Sequence, residues 1–308
     1  MSVDFWVNVG VLAGIYGILT LGSQVNAGFT GLLNFGQAGF MAIGAYGVGV
    51  FVVSGGLPLW LAFLLALGLS VAAALVVGLS MLRLRADYFA IVTIAFAEIV
   101  RYTLQNSEFS GGNQGLIGFD ANWREASGWM SSKLVAIGLG DHQQIPLFLA
   151  VWSTLLMLTL LLKILERTPW SRVLRAIRED EEATAALGKN TLSYKLQSLV
   201  LAAALAAVAG FFVALDVTYL YPSIFDPTFT FFGYAILLVG GLGSYWGVAV
   251  GSILFWSLLE GSRLFETELS ATQQASLRFI VVGLLLIVLG RLGPQGIFGS
   301  RKEMRARL

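Results

Sequence analysis

Few side chains in this 308-residue sequence are suited to chemistry, and they stand far apart. There is one histidine, His142, in a polar stretch, and there is no cysteine. A Ser/His/Asp triad, a thiol nucleophile or a zinc cluster has no credible set of donors here. The only Gly-Lys pair, Gly188-Lys189, is followed by Asn190 and lacks the upstream glycine of a phosphate-binding loop. No catalytic residue, no metal ligand and no cofactor bound by this chain is expected. The polar residues that interrupt apolar sequence are Asn34, Gln37, Thr93, Glu98, Arg101 and Asp216. Amides and hydroxyls in such surroundings suit contact with a polar solute or hydrogen bonds between helices. Glu98 and Arg101, three residues apart, are spaced to pair in the outer part of their helix. Asp216 and His142 read as solvated residues.

The elements that carry these residues are apolar. The sequence is 57% hydrophobic and 12% charged, with mean hydropathy +0.79. Soluble domains carry about 25% charged residues. Several apolar runs exceed the roughly 18 residues that mark a spanning helix. The fold class read from this is all-α: a polytopic integral membrane protein, one domain over residues 1–308, with roughly eight to ten membrane segments. The first run, Phe5–Val25, has no basic flank of a signal peptide and is expected to stay in the mature chain. The second, Gly28–Val53, carries a glycine every few residues together with Asn34 and Gln37. Two readings fit it. Small residues let helices approach closely. Alternatively, a broken helix exposes backbone beside a cavity. On the second reading Asn34, Gln37, Gly39, Tyr46, Thr93 and Glu98 are the candidate substrate pathway. A second break is expected at Gly240-Gly241-Leu242-Gly243-Ser244, inside the run Phe229–Leu259.

Two polar stretches divide the runs. Residues 106–144 form one. The other is a charged island, Lys163 to Lys195, where cations from Lys163 to Lys195 mix with Glu166, Glu179, Asp180, Glu181 and Glu182. Within it Trp170, Val173, Leu174 and Ile177 recur at i, i+3, i+4 and i+7, with arginines on another face, which predicts an amphipathic helix. Thr168-Pro169 is a helix start, the acids from Glu179 to Glu182 suit a second N-terminus, and Gly188 suits a left-handed end. With the island placed in the cytoplasm and crossings alternating, Arg83, Arg85 and the basic tail also fall inside. Only Arg101, Arg124, Lys133, Arg263 and Arg278 are left outside or near the outer face. The positive-inside rule then puts the N-terminus and 106–144 outside and the C-terminus inside.

Glu182-Ala183-Thr184-Ala185-Ala186-Leu187-Gly188 resembles the E-A-A-x-x-x-G core of the coupling loop of bacterial ABC importers. The run from Gly31 to Phe40 with Ile43-Gly44-Ala45-Tyr46 resembles the first signature of branched-chain amino-acid importer permeases. The stretch Leu82–Thr93, with Glu98-Ile99-Val100-Arg101, is similar to the LivM-type subunit rather than its LivH-type partner. Arg175–Asp180 and Gly240–Ser244 match in the same order, so the resemblance runs over nearly the whole chain. It departs at Ala86 and often at Ala97, where the family has glycine, and in the coupling motif, which reads Glu-Ala-Thr with no Leu-Pro after it. The resemblance implies a bacterial inner-membrane permease subunit without ATPase activity of its own. Its partners would be a homologous LivH-type permease, two cytoplasmic ATPase subunits that hold ATP and Mg, a periplasmic solute-binding protein and the lipid bilayer, with no nucleic acid. The solute would be a branched-chain or other neutral amino acid, or, in the same architecture, urea or a short amide. A secondary transporter, a channel and a membrane-embedded enzyme are the readings from other classes. The ATPase-coupling residues would be Trp170, Leu174, Arg175, Ile177, Glu182, Ala183 and Gly188, the apolar stripe sitting in a groove on the ATPase.

Overall fold

The computed structural model describes residues 3–82, 86–136 and 143–261, and scattered positions between 273 and 298. Arg83, Arg85, His142, Arg263, Arg278 and the basic tail from Arg301 onward lie outside the described residues. The first run forms α1 (Val3–Ser23), which continues without a gap into a π-helical turn, Gln24–Thr30. Gly31 ends that turn at φ 71°, a left-handed conformation that costs glycine little. Residues 32–36 are irregular, and α2 (Gln37–Val53) follows. Next come α3 (Leu59–Leu79) and α4 (Ala86–Asn106). The polar stretch after α4 folds a further helix, α5 (Ala121–Ala136), before α6 (Ile145–Glu166). The island forms α7 (Pro169–Glu179) and α8 (Glu181–Ala186). It is followed by α9 (Thr191–Val217), α10 (Thr228–Gly240) and α11 (Tyr245–Gly261).

Among the described residues, α3, α6, α9 and the 28-residue helix from Val3 to Thr30 are each long and apolar enough to span a bilayer. The pair α10 and α11 meets that test together but bends by 113° at the Gly240–Ser244 break. The expected larger number of segments had counted α2, which is 17 residues long, the charged α4 and the run Ser276–Leu289, which lies largely outside the described residues.

The centre of the bundle is α1, α2 and α9. They meet through small residues, as membrane helices do where no hydrophobic effect draws them together. A Cβ on Gly210 of α9 would lie 2.0 Å from the Met41 carbonyl of α2, and one on Gly44 would lie 2.5 Å from the Ala207 backbone. The ends of the bundle are defined by contacts. Asp4, Asn8, Gln144 and Glu260 line one pocket, so the starts of α1 and α6 share an end with the finish of α11. Leu116 and Ile117 pair antiparallel with Leu220 and Tyr219, tying the 106–144 stretch to the turn after α9. At the opposite end α7 packs on the π turn. Ile297 and Phe298 reach the Val239 and Gly240 carbonyls at the adjoining break, each through a 3.0 Å hydrogen bond.

Leucine at position 210 or 44 must push two backbones apart. Overpacking of this kind costs about 1–3 kcal/mol. Gly210→Leu and Gly44→Leu should lower the midpoint of thermal unfolding in detergent, and wild-type midpoints would show that the α2–α9 crossing is looser than this geometry.

Candidate functional site

The irregular segment between the π turn and α2 is where sequence and structure concentrate polar groups. Its backbone leaves the helical ladder and is met by side chains from other helices. The Asn34 N–H donates to the Tyr234 hydroxyl at 3.1 Å, and that hydroxyl donates back to the Asn34 carbonyl at 3.0 Å. The Phe35 N–H donates to Thr93 Oγ1 at 3.0 Å, while Thr93 donates to the Ala90 carbonyl. The Ala38 N–H donates to Thr230 Oγ1 at 3.0 Å. The Gly36 N–H donates to Asn34 Oδ1 at 2.9 Å, closing a local turn. Thus α4 supplies one brace and α10 two. Thr230 and Tyr234 were missed in the sequence. Their signal was present: two hydroxyls four residues apart, on one face of the apolar run after Phe229.

The same geometry decides between the two readings of the glycine-rich run. A Cβ on Gly39 would sit 2.8 Å from the Ala97 Cα, and one on Gly36 would sit 2.8 Å from the Thr93 carbonyl. Both glycines hold α2 against α4, so close packing is what they do, and the break exists beside them. Asn34 and Gln37 are fully buried within this chain rather than facing an open path. The Gln37 amide reaches the crossing of α1 and α9 beside Gly22, and neither of its polar atoms has a partner among the described residues. Asn34 Nδ2, Asn26 Nδ2 and Ser23 Oγ share that condition. Asn26 Oδ1 accepts from Ser198, which in turn accepts from Thr30 at 2.7 Å. Tyr46 is buried against Phe225. Glu98 pairs with Arg101 at 2.7 Å, as their spacing suggested. Near them Asp226, in the turn before α10, is held below the usual carboxylate range. The Thr228 hydroxyl is the main cause, opposed by burial and reinforced by the Thr228 N–H and the Arg101 charge. Asp216 is half-buried and lines a cleft of about 770 Å³ with Asp120, Arg124 and Gln144, so it is not merely a solvated residue.

The charged island forms its two helices, but its apolar stripe faces inward. Leu174 is 0% exposed and Ile177 4% exposed, packed on the π turn, α6 and α9 of this chain. Trp170 is half-buried and donates to Gln197 of α9. Leu174 and Ile177 therefore face this chain's own body, and Trp170 and Val173 are the partly exposed members of the stripe. The first two are apolar because the membrane body covers them. Thr168 precedes Pro169 as expected, yet its hydroxyl bonds back to the Leu165 carbonyl instead of capping α7. Arg175 bridges Glu166 at 2.5 Å and lies 4.9 Å from the Phe29 ring centre. Phe29 stacks on Tyr245 at 5.1 Å and 13°. Arg178 donates to the Gly28 carbonyl. Gln24, with its amide oxygen turned toward them, accepts from the Gly243 and Ser244 N–H groups. The π turn, the second break and α7 are thus one hydrogen-bonded unit. What remains outward is α8. Asp180 caps it by accepting from the Ala183 N–H at 2.9 Å. Glu182 and Ala183 are exposed, Leu187 is 82% exposed, and Gly188 turns the chain at φ 79°.

A family model described as the branched-chain amino acid transport system / permease component matches residues 5–290. The chain belongs to that permease family. A high-affinity branched-chain amino acid transport system permease protein LivM of Salmonella typhimurium is 33% identical over 304 residues, covering 94% of this chain and 69% of the relative. The LivM protein of Escherichia coli K12 is 34% identical over 303 residues with the same coverage. A probable branched-chain amino acid transport permease protein LivM of Methanocaldococcus jannaschii is 25% identical over 293 residues, covering 83% and 80%. No solved structure matches the chain. As a member of this permease family, the chain is a polytopic helical membrane protein and a transport component.

Thr93→Val keeps the shape of the α4 brace and removes the acceptor for the Phe35 N–H. Leaving a buried donor unmade costs about 1–3 kcal/mol. The variant should unfold at lower temperature in detergent, and Tyr234→Phe should do the same. Unchanged unfolding of both would mean that the break is stabilised by other groups.

Proposed function

We propose that this chain is the LivM-type permease subunit of an ATP-driven, binding-protein-dependent importer of branched-chain or other neutral amino acids. The observation that carries this reading is the family match over residues 5–290, with relatives whose names specify branched-chain amino acid transport. The whole chain acts as one transmembrane domain in the bacterial inner membrane. The N-terminus and the 106–144 stretch lie outside, and the island and C-terminus lie in the cytoplasm. A homologous LivH-type permease completes the translocation unit, and a periplasmic binding protein delivers the solute. Two cytoplasmic ATPase subunits carry ATP and Mg. The permease itself makes and breaks no bonds.

The geometry supports a specific division of the coupling loop. The docking surface is α8 and the turn after it: Glu182, Ala183, Leu187 and Gly188. The inner helix α7 transmits rather than docks. Its Leu174 and Ile177 anchor it in the membrane body, and Arg175 and Arg178 fasten it to Phe29 and the Gly28 carbonyl. Movement of α8 by an ATPase is then carried to the π turn and to the irregular segment beyond it. This is a two-state element biased from a distant site. Asn34, Gln37, Gly39, Tyr46 and Thr93 serve the pathway indirectly, by shaping the segment that moves. Glu98 stands closest to an open face.

The experiment is ATP-dependent leucine uptake into vesicles holding this chain with its permease, ATPase and binding-protein partners, run beside ATPase pull-down. The wild-type complex should accumulate leucine. Leu187→Asp should insert and fold normally yet lose both ATPase and uptake, whereas Leu174→Asp should reduce the amount of folded permease. ATPase retained by Leu187→Asp would remove α8 as the docking surface. No accumulation of any neutral amino acid by the wild-type complex would contradict the solute class.

A further inference from the structure

Three buried polar side chains meet where α1, α2 and α9 cross, and they do not satisfy one another. Gln37 is the first residue of α2, Asn26 lies in the π turn and Ser23 ends α1. Each is 0% exposed. Among the described residues, neither polar atom of the Gln37 amide has a hydrogen-bond partner, and Asn26 Nδ2 and Ser23 Oγ have none. The large majority of buried polar side-chain atoms are bonded to protein or to ordered water. A set of three such side chains in one place therefore calls for a partner from outside the chain.

The packing brings them together over Gly22. A Cβ on Gly22 would lie 3.1 Å from the Gln37 amide nitrogen and 2.9 Å from the Ala202 carbonyl of α9, so the missing side chain leaves the Gln37 amide room at the crossing. One turn further along both helices, Asn26 Oδ1 accepts from the Ser198 hydroxyl at 2.9 Å. These two contacts stand about 5.4 Å apart, one helical turn. Helical side chains lean toward the N-terminus, so the Asn26 amide lies over the preceding turn, which is Gly22 and Ser23. One water with two hydrogen bonds of about 2.9 Å spans a gap of this size.

The chemistry of the set narrows the ligand. Asn26 has its oxygen occupied and offers an N–H. Gln37 offers both an N–H and a carbonyl oxygen, and Ser23 can give or take. A partner for all three must accept from Asn26 and also donate to Gln37. A metal cation cannot accept an N–H, and a halide has no proton to donate. We infer that one water molecule is held over Gly22, accepting from Asn26 Nδ2, donating to Gln37 Oε1 and bonded to the Ser23 hydroxyl. Three bonds are the usual number for a buried water. The water joins the π turn to the first turn of α2. If the two shift against each other, it turns and keeps its bonds, where a direct amide–amide bond would break and leave bare donors. The inference concerns this chain alone, so failure of the transport reading would leave it standing.

The test is a density map of the full chain in its assembled complex, at a resolution where ordered water is visible, for the wild type and for Gln37→Met. Methionine keeps the length of the side chain and removes both polar atoms. The expected result is one peak within hydrogen-bond distance of Gln37, Asn26 and Ser23 in the wild type, and loss of that peak in Gln37→Met. The Gln37 and Asn26 amides bonded directly to each other, with no peak between them, would overturn the inference. A peak whose height changes when the salt is exchanged for one of heavier ions would show an ion and overturn it equally. So would a peak of undiminished height in Gln37→Met. If that variant does not fold, the wild-type map decides alone.

Discussion

Backbone that leaves its helix inside a membrane must find hydrogen-bond partners in protein. That constraint governs this fold. From Gly31 to Gly36 the chain is neither helix nor sheet; its freed groups are met by Tyr234, Thr93 and Asn34, and the Ala38 N–H in the first turn of α2 is met by Thr230. Three of those side chains come from other helices. The placement of α4 and α10 follows from this, because each must stand within hydrogen-bond reach of the same few peptides. The small residues at Gly36, Gly39 and Ala97 permit that approach. A net gain of about 0.5–1.5 kcal/mol per hydrogen bond is modest, whereas losing one inside the bundle exposes the full desolvation cost.

The helix wall on the other side of the break is equally tied. The π turn brings Phe29 between the Tyr245 ring and the Arg175 guanidinium, and turns the Gly28 carbonyl toward Arg178. Gln24 reaches the second break at Gly243 and Ser244. Two interruptions that are far apart in sequence are therefore neighbours, and α7 touches both through the same few side chains. A helix in the charged island is thus part of the membrane body, whereas α8 and its turn face outward and are tied back to α9 by the Glu181–Lys195 ion pair.

Much of this was legible from composition. Glycines drew attention to both regions, but for the first run they left close packing and a break equally open; at the breaks themselves Gly31, Gly241 and Gly243 take positive φ. The acids after Glu179 and Gly188 marked the two ends of α8, since their reasons are local. The Glu98–Arg101 pair followed from helical spacing alone. What failed was direction. The i, i+3, i+4, i+7 stripe at Trp170, Val173, Leu174 and Ile177 identifies an apolar face, but periodicity says nothing of which surface covers it. That cover is the chain's own π turn, and no composition signal marks a π turn at Gln24–Thr30. The burial of Asn34 and Gln37 was illegible for a related reason. A buried amide can brace backbone or face a solute, and only the positions of Tyr234, Thr93 and the α1–α9 crossing decide which. Thr230 and Tyr234 were hidden because two hydroxyls barely alter the hydropathy of a run as apolar as α10.

The central claim is that the break at residues 31–36 is a held segment, braced from α4 and α10, rather than a loose loop. Hydrogen–deuterium exchange of the resting protein in lipid nanodiscs measures this directly, followed on peptides spanning residues 31–40. If the claim is right, the amides of Asn34, Phe35 and Ala38 exchange as slowly as those in the middle of α2. Exchange there as fast as in an exposed turn such as Gly55–Leu57 would contradict it.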